Sequence, residues 1–254
     1  MDAEHSSSRI LDVGGWFNPL GEATHVVDLM PYETRRACLA LEPCPGEKFS
    51  RGTWVQTDFL NKDLRLPYED GYFDSVYCGH TLEDLADPVP LLRELARVAR
   101  AGRIVSPSRL SEQTLGSRDR SSSQSGHPHH HWIIDAGPSG LEFCRKSAST
   151  AEQSSLIPLT VYERHCRTHP GSSTIDWTWQ GPLRWQICDD ATAARRAQET
   201  ARALDFGWQD RLHDSAWRGL RRLRNQFSRV PADNPTQWWQ QMLELSRPYS
   251  QLPL

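Results

Sequence analysis

Short apolar runs separated by turn signals follow one another through the first part of the chain. Their length and their β-branched residues predict buried strands. The predicted strands are Arg9–Val13, Thr24–Leu29, Thr53–Phe59, Phe73–Cys78 and a fifth that opens at Ile104 and stops at Pro107. The first of them runs directly into Gly14-Gly15, which indicates a tight turn at its carboxyl end.

The strongest helical pattern lies between the fourth and fifth strands, over Pro88–Arg100. Asp87-Pro88 provides an N-terminal cap with proline in the first turn. Its apolar residues recur at helical spacing: Leu91, Leu92, Leu95 and Val98. Strands that alternate with helices predict a parallel sheet covered on both faces.

The pattern changes after the fifth strand. The polar stretch Ser111–His131 predicts a mobile loop or lid. Three further strands are predicted, at Leu141–Lys146, Thr174–Gln180 and Leu183–Cys188, and Gly181-Pro182 indicates a hairpin between the last two. Helices are predicted at Asp190–Leu204, Gln209–Phe227 and Pro235–Leu245. The arginine-rich stretch Arg218–Arg229 allows binding of phosphate or of an anionic carrier, but we interpret it as a solvated helix face.

These elements together predict the fold class and the domain organisation. We expect an α/β fold built on a doubly wound, mostly parallel sheet, with a C-terminal antiparallel hairpin and a helical extension. Residues 1–8 are predicted to be a disordered N-terminus, and residues 9–189 one α/β domain with a lid near 111–131. Residues 190–254 are predicted to be a helical extension packed on the same domain.

Composition narrows the class of protein and its partners. The chain has 254 residues and a formal net charge of -3, so no global basic field attracts nucleic acid. No apolar run reaches the length of a membrane-spanning helix, and the polar start is unlike a secretory signal. We therefore expect a cytoplasmic protein with neither nucleic acid nor membrane as partner. The six cysteines are dispersed, which predicts reduced thiols and no metal clip.

The candidate chemistry lies where the first strands end. Asp12 precedes Gly14-Gly15, Asp28 ends the second strand, and Asp58 ends the third and is followed by Phe59. Glycines allow close approach of the backbone to a ligand, and a carboxylate after the second strand can accept hydrogen bonds from ribose hydroxyls. This order of residues predicts a nucleoside site with an apolar surface for a base.

In these residues the sequence resembles class I S-adenosylmethionine-dependent methyltransferases, in particular the methyltransferase type 11 group. The resemblance rests on Ile10–Gly15, Val26–Leu29, Thr57–Phe59, Leu66-Pro67, Phe73–Asp84, Asp87-Pro88, Leu92–Val98 and Ala101-Gly102. It implies a Rossmann-like fold and S-adenosylmethionine as cofactor. It places Gly14 and Gly15 at the methionine portion, Asp28 at the ribose, Asp58 and Phe59 at the adenine, and Gly79-His80 beneath the sulfonium; Asp12 and Leu29 complete the implied cofactor-binding set.

The sequence departs from the family pattern at three places. Trp16 or its neighbours occupy the position of the third glycine, which makes the loop bulkier. The connection between the first two strands is short, so that its helix is expected to be a single turn at most. No acidic side chain lies near Val105, which weakens any role for a catalytic carboxylate at the end of the fifth strand.

Histidines supply the candidate catalytic groups. His80 follows from the motif, either as a base or as a locally hydrogen-bonded side chain. A second group follows the fifth strand, where His129 and His131 of an extended segment face one side and His130 the other. We take His80, His129, His130 and His131 as catalytic candidates and expect no metal, although the residues also allow a His-x-His metal site or a solvated loop that includes His127.

The resulting hypothesis is methyl transfer from S-adenosylmethionine to an oxygen, nitrogen or carbon of a small molecule, as in secondary metabolism. Two alternatives remain open. The first keeps the cofactor but uses it for cyclisation or rearrangement, and the second is a nucleoside-binding module without turnover. The sequence leaves the oligomeric state open, a homodimer included.

Overall fold

The structure is a computed structural model, and it describes residues 8–16, 18–35, 46–117, 124–146 and 155–227. Its strands are β1 (Ile10–Val13), β2 (His25–Asp28), β3 (Trp54–Gln56), β4 (Ser75–Gly79), β5 (Ala101–Pro107), β6 (Trp132–Gly137), β7 (Gly140–Arg145), β8 (Thr174–Gln180) and β9 (Trp185–Ile187). Its α-helices are α1 (Val89–Val98), α2 (Arg109–Glu112), α3 (Leu159–Thr168), α4 (Asp190–Ala203) and α5 (Trp208–Phe227). Short 3-10 turns cover Tyr32–Thr34, Arg51–Thr53 and Leu82–Asp84.

The chain divides into two compact units. The first comprises Met1–Ile104, Trp177–Leu183 and Ala232–Leu254, and the second Val105–Asp176 and Arg184–Pro231. The chain passes from one unit to the other within β5 and within β8. Most of the expected disordered N-terminus and the whole expected helix Pro235–Leu245 lie outside the described residues.

The first unit is built on a six-stranded sheet with the order β3-β2-β1-β4-β5-β8. β1 pairs in parallel with both β2 and β4, and β2 pairs in parallel with β3. The chain order reverses between β1 and β4, and the crevice at the carboxyl ends of such strands is where open α/β sheets bind ligands. The predicted α/β class with a mostly parallel sheet is confirmed.

β8 is the exception within this sheet. Gly181 N donates to Arg100 O (2.7 Å) at one end of β5, and Ser108 N donates to Ser173 O (2.9 Å) at the other. The end of β8 therefore lies beside the start of β5, so the two strands run antiparallel.

Helix α1 covers the sheet with the pattern that the sequence predicts. Its inward side chains are all fully buried: Leu91, Leu92, Leu95 and Val98. Pro88 is its N-cap residue. Glu94 and Arg97 on the same helix bind the backbone of Leu66, with Leu66 N donating to Glu94 (2.7 Å) and Arg97 donating to Leu66 O (3.0 Å). These two hydrogen bonds hold the loop that contains Leu66 against the helix.

The second unit contains a three-stranded sheet, and it corrects the predicted position of the hairpin. The antiparallel hairpin joins β6 and β7 across a tight turn that ends at Gly140, whose φ is +123°. Gly181-Pro182 joins no hairpin, because β8 lies in the six-stranded sheet while β9 pairs in parallel with β7. After the turn, Leu141 N donates to Arg184 O (3.0 Å). β9, which was expected to pair with β8, therefore pairs with the edge of β7 instead.

The helices of the second unit match the prediction in part. α4 and α5 lie where they were expected, whereas α3 was not predicted. α2 occupies the start of the predicted lid and is buried along its length, with the Ser108 hydroxyl accepting a hydrogen bond from Ser111 N (3.3 Å). Residues 118–123 of that lid lie outside the described residues. In the described ranges, no helix has both the length and the apolar character needed to cross a bilayer.

Candidate functional site

The turn after β1 brings the first glycine against the end of β4. Gly14 has a φ of +79°, a conformation that favours glycine, and its N donates to Val27 O (2.9 Å) of β2. A Cβ at this position would overlap the hydroxyl of Thr81, which itself donates to Val13 O (3.3 Å). Gly14 is thus required by the close approach of two strand ends at the point where the sheet order reverses.

Asp12 lies beneath this turn and is almost completely buried. Its Oδ2 accepts a hydrogen bond from Leu20 N (2.5 Å), while its Oδ1 has no hydrogen-bond partner among the described residues. A Cβ at Gly15 would lie 2.7 Å from that free oxygen. Burial raises the pKa of Asp12 to about 7, and the nearby charge of Asp28 adds to this effect, although the hydrogen bond from Leu20 opposes it.

Asp28 lies at the end of β2, and the returning turn covers it. Its Oδ1 accepts from Met30 N (2.7 Å) and its Oδ2 from Trp16 N (2.9 Å), and the residue is 4% exposed. Burial raises the pKa of Asp28 to about 6 despite these two hydrogen bonds. Each carboxylate oxygen keeps a second lone pair, so ribose hydroxyls would share the carboxylate with the backbone donors.

Trp16 is the residue that closes the turn over Asp28. It has a φ of 29° in the left-handed region, and its indole Nε1 donates to the Thr34 hydroxyl (3.1 Å). The sequence reveals only that a bulky side chain stands where the family has glycine. In the structure, the backbone of Trp16 binds Asp28 and its side chain binds Thr34, and both contacts fix the turn. The spacing of residues in the sequence does not reveal these contacts.

Asp58 and Phe59 follow β3 along the same edge of the sheet. Thr57 N donates to Asp28 O (2.8 Å), so this segment continues beside the end of β2. Asp58 Oδ1 accepts from Leu60 N (2.9 Å) in a local turn, and Phe59 is buried. Leu29 is about half exposed, and it presents the larger accessible apolar side chain here.

His80 stands at the end of β4 beside a carboxylate that the sequence interpretation passed over. Its Nδ1 lies 3.4 Å from Glu83 Oε1, and Glu83 is buried in the 3-10 turn after β4. Hydrogen bonding to Glu83 raises the pKa of His80, while partial burial opposes the rise. Glu83 was not singled out from the sequence, although its spacing of three residues from His80 was an available signal.

Two buried carboxylates therefore keep unused acceptors near the glycine turn. Asp12 Oδ1 and Glu83 Oε2 have no hydrogen-bond donor among the described residues. Burial raises the pKa of the Cys78 thiol on β4, and the charges of Glu83 and Asp12 add to this rise, so both acids lie in the surroundings of that side chain. Carboxylate acceptors of this kind would fit a cofactor that carries a positive charge, an ammonium group and ribose hydroxyls.

The histidine segment, residues 127–131, belongs to the second unit, and Glu112 of α2 contacts two of its histidines. His130 Nδ1 lies 2.9 Å and His127 Nδ1 lies 3.1 Å from Glu112 Oε1, while Lys146 donates to Glu112 Oε2 (2.6 Å). Burial alone would raise the pKa of Glu112, but the two imidazoles and the Lys146 ammonium hold it well below its ordinary value. Glu112 is therefore an ionised, buried carboxylate.

The segment is not extended as expected, because His130 N donates to His127 O in a turn and the ring centroids of His129 and His130 lie 4.5 Å apart. Only the burial of its histidines alternates. His130 is buried, whereas His129 and His131 are exposed. The histidine that joins His130 is His127, the member that was left out of the catalytic candidates. Sequence reasoning missed Glu112 because it was assigned to a polar loop rather than to a buried helix.

One family model matches part of the chain. Residues 13–106 match the family model described as a methyltransferase domain. None of the curated proteins matches the chain.

Solved structures are similar at low identity. One is the complex between the Haloferax volcanii Trm112 methyltransferase activator and a methyltransferase, with 13% identity, a TM-score of 0.38, and coverage of 69% of this chain and 83% of that chain. A SAM-dependent methyltransferase from Aquifex aeolicus has 16% identity and a TM-score of 0.28, with 41% and 58% coverage. An S-adenosylmethionine-dependent methyltransferase from Mesorhizobium loti has 13% identity and a TM-score of 0.31, with 79% and 76% coverage.

The family match begins at the last residue of β1 and ends within β5, so it spans the glycine turn, Asp28, Asp58 and His80. The parallel sheet, the reversal of strand order beside Gly14 and the acid at the end of β2 are what such a domain requires. Residues 13–106 are a class I S-adenosylmethionine-dependent methyltransferase domain, and the cofactor of this enzyme is S-adenosylmethionine.

Proposed function

We propose that this enzyme methylates an oxygen, nitrogen or carbon atom of a small-molecule acceptor. The observation that carries the proposal is the convergence of Gly14, Asp12 and Asp28 at the carboxyl ends of β1 and β2, where the sheet order reverses. The net charge of -3 supports a small acceptor, because it gives no general attraction for nucleic acid.

Each part of the site has a task in this proposal. Gly14, Gly15 and Asp12 hold the methionine portion, and Asp28 with Leu29 holds the ribose. Asp58 and Phe59 border the adenine, and Gly79 lies beneath the sulfur. The bound cofactor supplies a methyl group that is already activated, so the protein has to align the acceptor and exclude water.

His80 is the first candidate for removing a proton from the acceptor. Its Nδ1 faces Glu83, which holds the ring and stabilises the imidazolium that forms when the ring accepts a proton. Because Glu83 raises the pKa of His80, the basic form becomes fully available only above the ordinary histidine range. His129, His130 and His131 are the second group of candidate bases.

The proposal is tested with cofactor labelled on the transferred methyl group, incubated with the protein and small-molecule extracts. We expect the label in one low-molecular-weight product. Consumption of cofactor without transfer of its methyl group would favour cyclisation or rearrangement. Binding of cofactor without any product would favour the nucleoside-binding module, and either outcome contradicts methyl transfer.

Substitution separates the two groups of histidines. If His80 is the base, His80→Gln lowers turnover by about 10²- to 10⁴-fold and leaves the affinity for S-adenosylhomocysteine nearly unchanged. The matched test replaces His129, His130 and His131 singly with alanine and applies the same two measurements. A histidine whose loss leaves turnover unchanged has no part in the mechanism.

A further inference from the structure

The cluster formed by Glu112, His127, His130 and Lys146, here named the Glu112 cluster, lies in the second unit. Glu112 and His127 have no task in the proposed methyl transfer. The Glu112 side chain is 1% exposed, His130 is also buried, and His127 is about one quarter exposed. A buried carboxylate that faces two imidazoles is a group of metal-ligand type with limited access from solvent.

The spacing of the three ligand atoms is the first argument for a metal site. Glu112 Oε1 lies 2.9 Å from His130 Nδ1 and 3.1 Å from His127 Nδ1. One potential ligand atom from each residue lies within 4.8 Å of the other two. Ligands that bind Zn²⁺ tetrahedrally at about 2.0–2.1 Å are separated by about 3.3 Å. The two carboxylate–imidazole distances lie within a few tenths of an ångström of this separation, and the two imidazole nitrogens lie within 4.8 Å of each other, so a bound ion would draw the two rings toward a common centre.

The supports around the three ligands are the second argument. Lys146 donates to Glu112 Oε2 (2.6 Å) and also to His127 O (2.8 Å), so it fixes the carboxylate through one oxygen and leaves the other toward the imidazoles. The two rings stack with centroids 4.4 Å apart. Outer partners of this kind orient ligands in metal sites.

The backbone also holds the segment close to the carboxylate. Gly126 has a φ of +55°, and a Cβ there would overlap Glu112 Oε2. His130 N donates to His127 O (3.2 Å), which brings the two imidazoles to the same side of one turn. The ligand set is thus shaped by the fold and does not depend on long, exposed side chains.

We propose that Glu112, His127 and His130 bind one divalent transition-metal ion of the Zn²⁺ type. Two imidazoles and one carboxylate select such an ion over Mg²⁺ or Ca²⁺, which prefer oxygen ligands throughout. Three protein ligands leave a fourth position for water or for an oxygen of a bound molecule. This site does not require methyl transfer and its test is separate, but a metal ion bound to His130 would remove that histidine from the candidate bases of the methyl-transfer proposal.

The test measures zinc binding to the full chain by equilibrium dialysis with elemental analysis and by calorimetry with Zn²⁺. We expect one ion per chain. Glu112→Gln and His127→Gln are each expected to lower the affinity by at least about 100-fold, because loss of a direct ligand exceeds the 10–100-fold effect of outer partners. The matched control is His131→Ala, which removes an exposed histidine of the same segment and should retain the site.

Several results would overturn the proposal. They are less than half an ion bound per chain, binding that both Glu112→Gln and His127→Gln retain, or binding that only His131→Ala loses, which would indicate chelation by surface histidines. Circular dichroism checks the fold of each variant. If Glu112→Gln does not fold, His127→Gln decides the question, because its side chain is partly exposed and its loss disturbs less packing.

Discussion

At the scale of single residues, the site is defined by acids that the fold holds away from water. Asp12 and Asp28 have pKa values raised to about 7 and about 6, mainly by burial. A buried carboxylate destabilises the folded protein when it ionises, unless a positive partner compensates. The position of Asp28 at a strand end was predictable from the sequence. The cap that Trp16 forms over it was not, because it depends on a loop conformation.

Replacing Asp12 with asparagine tests how much stability the folded protein loses when this buried carboxylate ionises. The unfolded chain releases the proton of Asp12 near pH 4 and the folded chain near pH 7, so the wild type loses stability relative to Asp12→Asn as the pH rises between these values. The loss is about 1.4 kcal/mol per pH unit at most. Urea denaturation at pH 4.5 and pH 7.5 measures it, with Asp63→Asn as an exposed control. A difference between wild type and Asp12→Asn that does not change with pH would refute the assignment.

Ionisation of Asp28 is expected to raise the affinity for the cofactor. Ribose hydroxyls and a cationic cofactor bind better to ionised carboxylates, so the affinity for S-adenosylmethionine should increase from about pH 5 to about pH 8. Calorimetry across this range is the measurement, and Asp28→Asn should flatten the profile. A profile that keeps its full slope in Asp28→Asn would exclude Asp28 as its source.

At the scale of elements, the sequence predicted α1 and every described strand except β6, because each of these has a local signal. Apolar runs that end at glycine or an acid correspond to β1, β2 and β4, and helical spacing corresponds to α1. Which strands pair with each other is not determined by local sequence, and the prediction of a hairpin at Gly181-Pro182 was wrong for that reason. Gly181-Pro182 indicates a turn, but which edge receives the next strand depends on the free edge of β7.

Helix α5 shows that the sequence also does not determine which face of a helix packs inward. We interpreted its arginines as a solvated face, yet the Arg218 side chain is 11% exposed and pairs with buried Asp214 at 2.9 Å, while Leu220 is 66% exposed. Helical spacing identifies two faces, but it does not establish which one packs inward. The arginine interpretation is therefore wrong for Arg218.

A pair of substitutions tests the orientation of α5. Leu220→Gln should change the free energy of unfolding by less than about 0.5 kcal/mol, as expected for an exposed position. Asp214→Ala should cost more than about 1 kcal/mol, because it leaves Arg218 without its partner. Denaturation of both variants at one pH gives the comparison, and the reverse order of effects would show that the apolar face packs inward.

The glycine turn after β1 gives the second test at this scale. Gly14→Ala forces a side chain into a left-handed conformation and against Thr81, so it should cost at least about 2 kcal/mol of stability. Gly21→Ala is the matched control in the same connection, where a Cβ meets nothing within 4 Å. Thermal and chemical denaturation compare the two, and equal effects would contradict the close approach at Gly14.

At the scale of the whole molecule, the two proposed sites belong to different units. The family match at 13–106 lies almost entirely within the first unit, and the Glu112 cluster lies in the second. The residues of the first site were predictable because their order along the strands carries the pattern. Only the histidines of the Glu112 cluster were noticed in the sequence. Glu112, fifteen residues before His127, was not, because nothing in the local sequence indicates that it is buried beside them.

Calorimetry with S-adenosylhomocysteine tests the central claim, a nucleoside cofactor held at the ends of β1 and β2, most directly. The wild type should bind one equivalent, and Asp28→Asn should weaken binding by about 10- to 100-fold, the value of a lost hydrogen bond to a charged group. Asp63→Asn should bind as the wild type does. Absence of binding to the wild type, or equal affinity in Asp28→Asn, would contradict the account.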